Sequence, residues 1–166
     1  MRTGGGLFFE DFAVGRTFRS PTRTITETDV VLFGAWSGDM NELHTSETYA
    51  RDNLFGRRIA HGLLGLSIAH GFLFRIGLFE GTGIAFLSVE DWKFTAPVFI
   101  GDTVHAEIEV AEAIPSRSKP DRGVVKFRVA LKNEAGTTVQ EGLHVVMVKR
   151  RGKDASSGDG QGGEGH

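Results

Sequence analysis

Cysteine is absent from the chain. Disulfides, thiolate nucleophiles and thiolate metal sites are thereby excluded, and a cytoplasmic location is the simplest expectation. Proline is scarce as well, at 4 among 166 residues, so few positions bar a helix or a strand ladder. Charge of one sign is also missing. With a formal net charge of -2 and no long run of Lys or Arg, nothing electrostatic favours nucleic acid as a partner. The N-terminus lacks a basic-then-apolar leader, so no secretion signal is expected. Residues 62–79 approach the roughly 18 to 20 residues that a membrane span requires. Arg75, His70, Ser67 and several glycines interrupt that run, which reads instead as the buried helix of a soluble domain.

What is present is a sizeable apolar fraction. Hydrophobic residues make up 40% of the chain, with 13 Phe, enough to fill the core of one domain. That domain is expected over residues 1–150. Residues 151–166, rich in Gly, Ser and acid, have nothing to bury and are expected to be disordered.

Along the chain, Phe8, Phe9, Phe12 and Val14 can pin the start to the body, and residues 17–25 fit an extended segment near an edge, where Pro21 is tolerated. Thr26-Glu27-Thr28-Asp29 has the form of a capping box, so a helix should begin here with Val30, Val31, Phe33, Gly34 and Trp36 on its apolar face. Gly38 should end it. A short second helix is expected over 47–52, capped by Thr45 or Ser46, and a long one should open at Gly62. Gly62, Gly65 and Ala69 leave one side of that long helix nearly bare, open to close approach by other backbone. After residue 84 the apolar period changes to two, which predicts strands over 84–94, 103–113, 124–131 and 138–148, with a bend at Pro97. This order fits an α+β architecture in which a curved antiparallel sheet wraps one long central helix.

Chemistry gathers in Ser37-Gly38-Asp39-Met40-Asn41-Glu42-Leu43-His44. Asp39 and His44 would diverge on a continuous helix, so they make sense as a loop pair that holds one water between a proton acceptor and a proton donor. Taken alone, this stretch is more simply a solvated turn. A second stretch, Ala60-His61-Gly62-Leu63, opens the long helix and changes that balance. Free amides at a helix N-terminus stabilise an anion, and glycine permits close approach. Asn41 more simply shapes the loop, and His61 caps the helix or ties it to a neighbouring carbonyl. No calcium or zinc ligand set is complete, so no metal is expected.

These two motifs, in this order and separation, resemble the MaoC-like hydratases, the (R)-specific enoyl-CoA hydratases of the hot-dog fold. The resemblance covers roughly residues 8 to 150, including Phe94-Thr95-Ala96-Pro97-Val98 and Gly101-Asp102-Thr103-Val104. It implies hydration of a trans-2-enoyl-CoA thioester, or dehydration of the (R)-3-hydroxyacyl product, without cofactor. It further implies Asp39 and His44 as the catalytic pair and the Gly62 amide as the group that binds the thioester carbonyl. Asn41 and His61 are grouped with Gly62 as candidate substrate-binding residues. Two departures stand out. Glu42 follows Asn41 where the family usually has Pro, and His70, with Ser67 nearby, stands where several members have Ser. A homodimer or a higher even oligomer is expected, because a sheet covered by one helix leaves edges to account for. Acyl-CoA thioesterase activity and non-catalytic acyl-thioester binding are the alternatives on the same fold.

Overall fold

The computed structural model describes residues 5–152. Its elements are a single 3-10 turn Phe9–Asp11, strands β1 (Thr17–Arg19) and β2 (Arg23–Thr24), helices α1 (Glu27–Ser37), α2 (Glu42–Thr45), α3 (Glu47–Arg51) and α4 (Gly62–Arg75), then strands β3 (Gly83–Phe94), β4 (Thr103–Pro115), β5 (Arg122–Asn133) and β6 (Thr138–Lys149). The sheet is antiparallel in the order β1-β4-β5-β6-β3, with β2 also on β4. The expected curved sheet around one long helix is present. Period-two patterning explains it: Val125, Phe127, Val129 and Leu131 of β5 point inward against Ile68, Ala69, Phe72 and Leu73 of α4, all in one apolar core.

Local signals held where hydrogen bonds are short-range. Thr26 accepts from the Asp29 N–H while the Asp29 carboxylate accepts from the Thr26 N–H, so the capping box starts α1. Gly38, at φ 80, closes it. Ser46 caps α3 by accepting from Tyr49.

Other expectations need correction. The apolar face of α1 is not buried as a whole, since Val31 and Trp36 are exposed and only Val30 and Gly34 are fully covered. The edge segment is split into β1 and β2 at Ser20 and Pro21, because proline cannot donate to the β4 ladder. Glu42, Leu43 and His44, expected as loop, form a short helix with Thr45, one of the two residues expected as a cap. The bare side of α4 is filled by side chains rather than by backbone: a Cβ on Gly65 would fall 2.1 Å from the Gln140 amide nitrogen, and one on Gly62 would fall 2.9 Å from the Phe94 ring. Arg151, expected in the disordered tail, pairs with Asp11 at 2.7 Å. The tail expected beyond it, residues 153–166, lies outside the described residues, as do residues 1–4.

Among the described residues no helix is long and apolar enough to cross a membrane. Arg58 fastens the helices next to the site, donating to both carboxylate oxygens of Glu27 (2.8 and 2.7 Å) and to Glu47 (2.6 Å). It thereby bridges the starts of α1 and α3.

Under the sheet, His144 of β6 is 0% exposed and stacks on Trp92. Burial, and secondarily the neighbouring His70, pushes its pKa from 6.5 down to about 4. Its neutral ring therefore binds fewer protons than the unfolded chain does between those values, so stability drains away as pH falls through that window. The shift corresponds to about 3 kcal/mol lost near pH 4. Urea unfolding of wild type and His144→Leu at neutral pH and near pH 4 will show a smaller acid loss in the variant. Equal losses would mean that this imidazole does not govern acid stability.

Candidate active site

The site is assembled from α1's end, α2 and the start of α4. Because Gly38 adopts the left-handed conformation, the chain reverses at once after α1 and presents Asp39 at the surface. The Asp39 N–H donates to Ser37 Oγ at 3.2 Å, and Asp39 Oδ1 accepts from the Asn41 N–H at 3.3 Å. Asn41 then caps α2 through its side-chain oxygen, which accepts from Leu43 at 2.9 Å. Its side chain is thus committed to the loop.

One turn later α2 carries His44 inward, to 8% exposure. His44 Nδ1 lies 2.7 Å from the Ile59 carbonyl oxygen. A carbonyl can only accept, so Nδ1 carries the proton and Nε2 is left for chemistry.

His61 is the N-cap of α4 and is 2% exposed. Its Nε2–H donates to the Asp39 carbonyl at 2.9 Å, and its ring lies on His44 with centroids 3.9 Å apart and planes tilted by 31°. The expectation that His61 ties the helix to a neighbouring carbonyl is met, and that carbonyl belongs to Asp39. Burial is the main force lowering the His61 pKa; the hydrogen bond to Asp39 opposes it and the neighbouring His44 adds to it. A neutral His61 donates this bond and holds no charge against its stacked neighbour.

Asp39, His44 and His61 bring side-chain oxygen and nitrogen atoms within 4.8 Å of one another. Such a trio invites comparison with a metal site. One nitrogen of each ring is already engaged, however, His44 Nδ1 with the Ile59 carbonyl and His61 Nε2 with the Asp39 carbonyl.

A cavity of about 270 Å³ adjoins the trio, with His44, Gly62, Gln140, Phe55, Phe94 and Val98 among its walls. The Gly62 N–H, first in α4, has no acceptor among the described residues. An anion held there would meet the positive end of a helix dipole inside a largely apolar pocket. A larger cleft, of about 720 Å³, lies on the outer face of the sheet between charged side chains such as Glu107 and Lys132, which pair with each other.

Of the expected site residues, His44 and Gly62 line one cavity; Asp39 does not line it and is exposed, with a carboxylate oxygen within 4.8 Å of a ring nitrogen of His44. Asn41 and His61, grouped beforehand with the substrate-binding residues, do not line it. Both act on the loop instead. Gln140, Phe55 and Phe94 were not among the expected site residues, although the segment Phe94 to Val98, which carried part of the resemblance, lines the cavity throughout. A polar amide on a strand otherwise rich in valine was a signal for Gln140. The arginines do not all stay open to an anionic substrate, since Arg58 is held by two carboxylates and Arg122 pairs with Asp121.

Residues 11–133 match the family described as MaoC like domain. An (R)-specific enoyl-CoA hydratase of Rhodospirillum rubrum is 37% identical over 145 residues, covering 87% of this chain and 94% of that protein. A 3-hydroxybutyryl-CoA dehydratase of Methylorubrum extorquens is 41% identical over 113 residues, covering 68% of this chain and 69% of that one. The crystal structure of a MaoC-like dehydratase from Rhodospirillum rubrum superposes with a TM-score of 0.78 at 33% identity, over 89% of this chain and 99% of that one.

Proposed function

The chain belongs to the MaoC-like domain family, with its hot-dog fold, and from that premise we propose that it is a hydro-lyase acting on enoyl-CoA thioesters. It adds water to a trans-2-enoyl thioester or removes it from an (R)-3-hydroxyacyl thioester. The observation that carries this reading is the sharing of one cavity by His44, whose Nδ1 is engaged elsewhere, and Gly62, whose amide has no acceptor among the described residues, with an Asp39 oxygen within 4.8 Å of a His44 ring nitrogen.

The chemistry follows from those positions. One water sits between the Asp39 carboxylate and His44 Nε2; its oxygen bonds to the β-carbon as one of its protons passes to the pair. The electron pair of the double bond moves toward the thioester carbonyl, whose oxygen becomes anionic and accepts from the Gly62 N–H. A proton delivered by the pair to the α-carbon completes the addition. Water adds across the double bond with no net oxidation or reduction, so the step draws on no redox cofactor. His61 is a positioning residue: it grips the Asp39 backbone and seats the His44 ring.

Crotonyl-CoA and (R)-3-hydroxybutyryl-CoA should therefore interconvert in the presence of the protein, with no free thiol released. Thiol release without hydration would make it a thioesterase, and tight binding without turnover would make it a binding subunit. A second copy of the chain is the natural cover for the outer edge of β3, where Ile84, Phe86 and Leu87 are exposed and no further strand pairs among the described residues. Sedimentation should show an even oligomer, and a monomer at working concentration would refute that arrangement. Composition without cysteine supports a cytoplasmic location.

A further inference from the structure

In a site built this way the CoA arm has to lead out to solvent past Phe55 and Phe94, the latter 54% exposed. The acyl end therefore points at the buried walls. Two of these, Ala60 and Val98, are joined main chain to main chain at 2.8 Å, so nothing there yields. A further buried wall is a side chain. Gln140, 2% exposed, lies across Gly65, donates from Nε2 to the Gly62 carbonyl at 3.1 Å and accepts at Oε1 from the Trp92 indole N–H at 3.2 Å.

Trp92 stands directly behind it. A β-bulge between Glu90 and Lys93, with Asp91 at φ 51, breaks the alternation of β3 at this point, and Trp92 packs against the core. Its ring rests where Gly142 has no side chain, since a Cβ there would come within 2.7 Å of the ring, and it stacks on His144 with centroids 5.1 Å apart. Farther along the same path His144 meets His70 of α4, at 5.4 Å between centroids. Gln140 lies on α4 at Gly62 and Gly65, and on its far side the indole covers β6 from Gln140 through Gly142 to His144. An acyl chain that outgrows the cavity on this side meets Gln140, and behind Gln140 the place is already taken by the indole.

Resting on the hydratase reading of the site, we propose that Trp92, acting through Gln140, is the stop that restricts this protein to short, crotonyl-sized acyl groups and rejects medium-length ones. Indole bulk, its hydrogen bond to Gln140 and its stack on His144 together make the plug rigid, so a longer chain has to displace a packed aromatic ring rather than a flexible side chain.

The test compares kcat/KM for crotonyl and octenoyl thioesters. Wild type is expected to favour crotonyl by about 100-fold or more, and Trp92→Leu to narrow that ratio by at least about tenfold through a gain on octenoyl. Trp92→Phe, which keeps a ring over Gly142 but withdraws the N–H from Gln140, should shift the ratio in the same direction by less and serves if the leucine variant folds poorly. An unchanged ratio in either folded variant overturns the proposal. Calorimetry with saturated butyryl-CoA and octanoyl-CoA reads the same selectivity without turnover. Preference for butyryl-CoA in a protein that hydrates nothing would remove the hydratase reading and leave the stop intact; equal binding of both would remove the stop whatever the turnover.

Discussion

Asp39→Asn and His44→Asn will each lower kcat for enoyl-thioester hydration by about 100-fold to 10,000-fold, the usual worth of a positioned acid or base. Both substitutions spare the scaffold. Asparagine at 39 keeps an oxygen for the Asn41 N–H and leaves untouched the backbone carbonyl that accepts from His61. At 44 its amide N–H takes the place of Nδ1 and continues to donate to the Ile59 carbonyl, while nothing replaces Nε2. Losses should therefore appear in kcat, with KM nearly constant, because the acyl-thioester contacts survive. If the two groups work on one water, the double variant falls little below the worse single one. Steady-state kinetics with crotonyl-CoA decides the matter: a folded single variant retaining a third of wild-type kcat would end this assignment.

Gly62→Pro will cost about 100-fold to 1000-fold in kcat beyond the loss in Gly62→Ala, the range seen when one donor to a developing oxyanion is removed. Proline at this position removes the amide and little else. Residue 62 is the first of α4, where proline is compatible with a helix, and His61 at φ -58, ψ 135 already has the extended conformation that a following proline demands. Alanine is the steric control, because its Cβ meets the Phe94 ring at 2.9 Å, and a half-exposed ring can give way. Matching kcat values for the two variants, with intact circular dichroism, would show that the carbonyl oxygen is held by some other group.

Several parts of this site were readable in advance for a common reason. The Thr26 to Asp29 box, the reversal at Gly38 and the free amide at Gly62 depend on hydrogen bonds within a few residues, or on their absence at a helix start. α2 escaped notice because a helix of one turn is not stable alone. It persists because Asn41 caps it and because His44 is anchored to Ile59, fifteen residues away in the chain. Trp36 misled for a related reason. Apolar spacing says which residues share a face, while only packing says whether that face is covered, and here it is exposed.

The order of residues by itself determined the wrapped helix, the antiparallel strands and the excluded thiol chemistry. Each follows from composition, periodicity or turn geometry, which act over short stretches. Only the tertiary structure decided that His61 grips Asp39 from behind, that Arg58 ties two helix starts together and that Gln140 and Trp92 close the cavity. His61 and Arg58 join separate segments of the first half of the chain. Gln140 and Trp92 instead tie β6 and β3 to the start of α4, and the register of that last pair depends on one bulge at Asp91 and on the missing side chains of Gly65 and Gly142. A shift of one residue on a strand would turn each of those side chains to the other face, and no local pattern carries that choice.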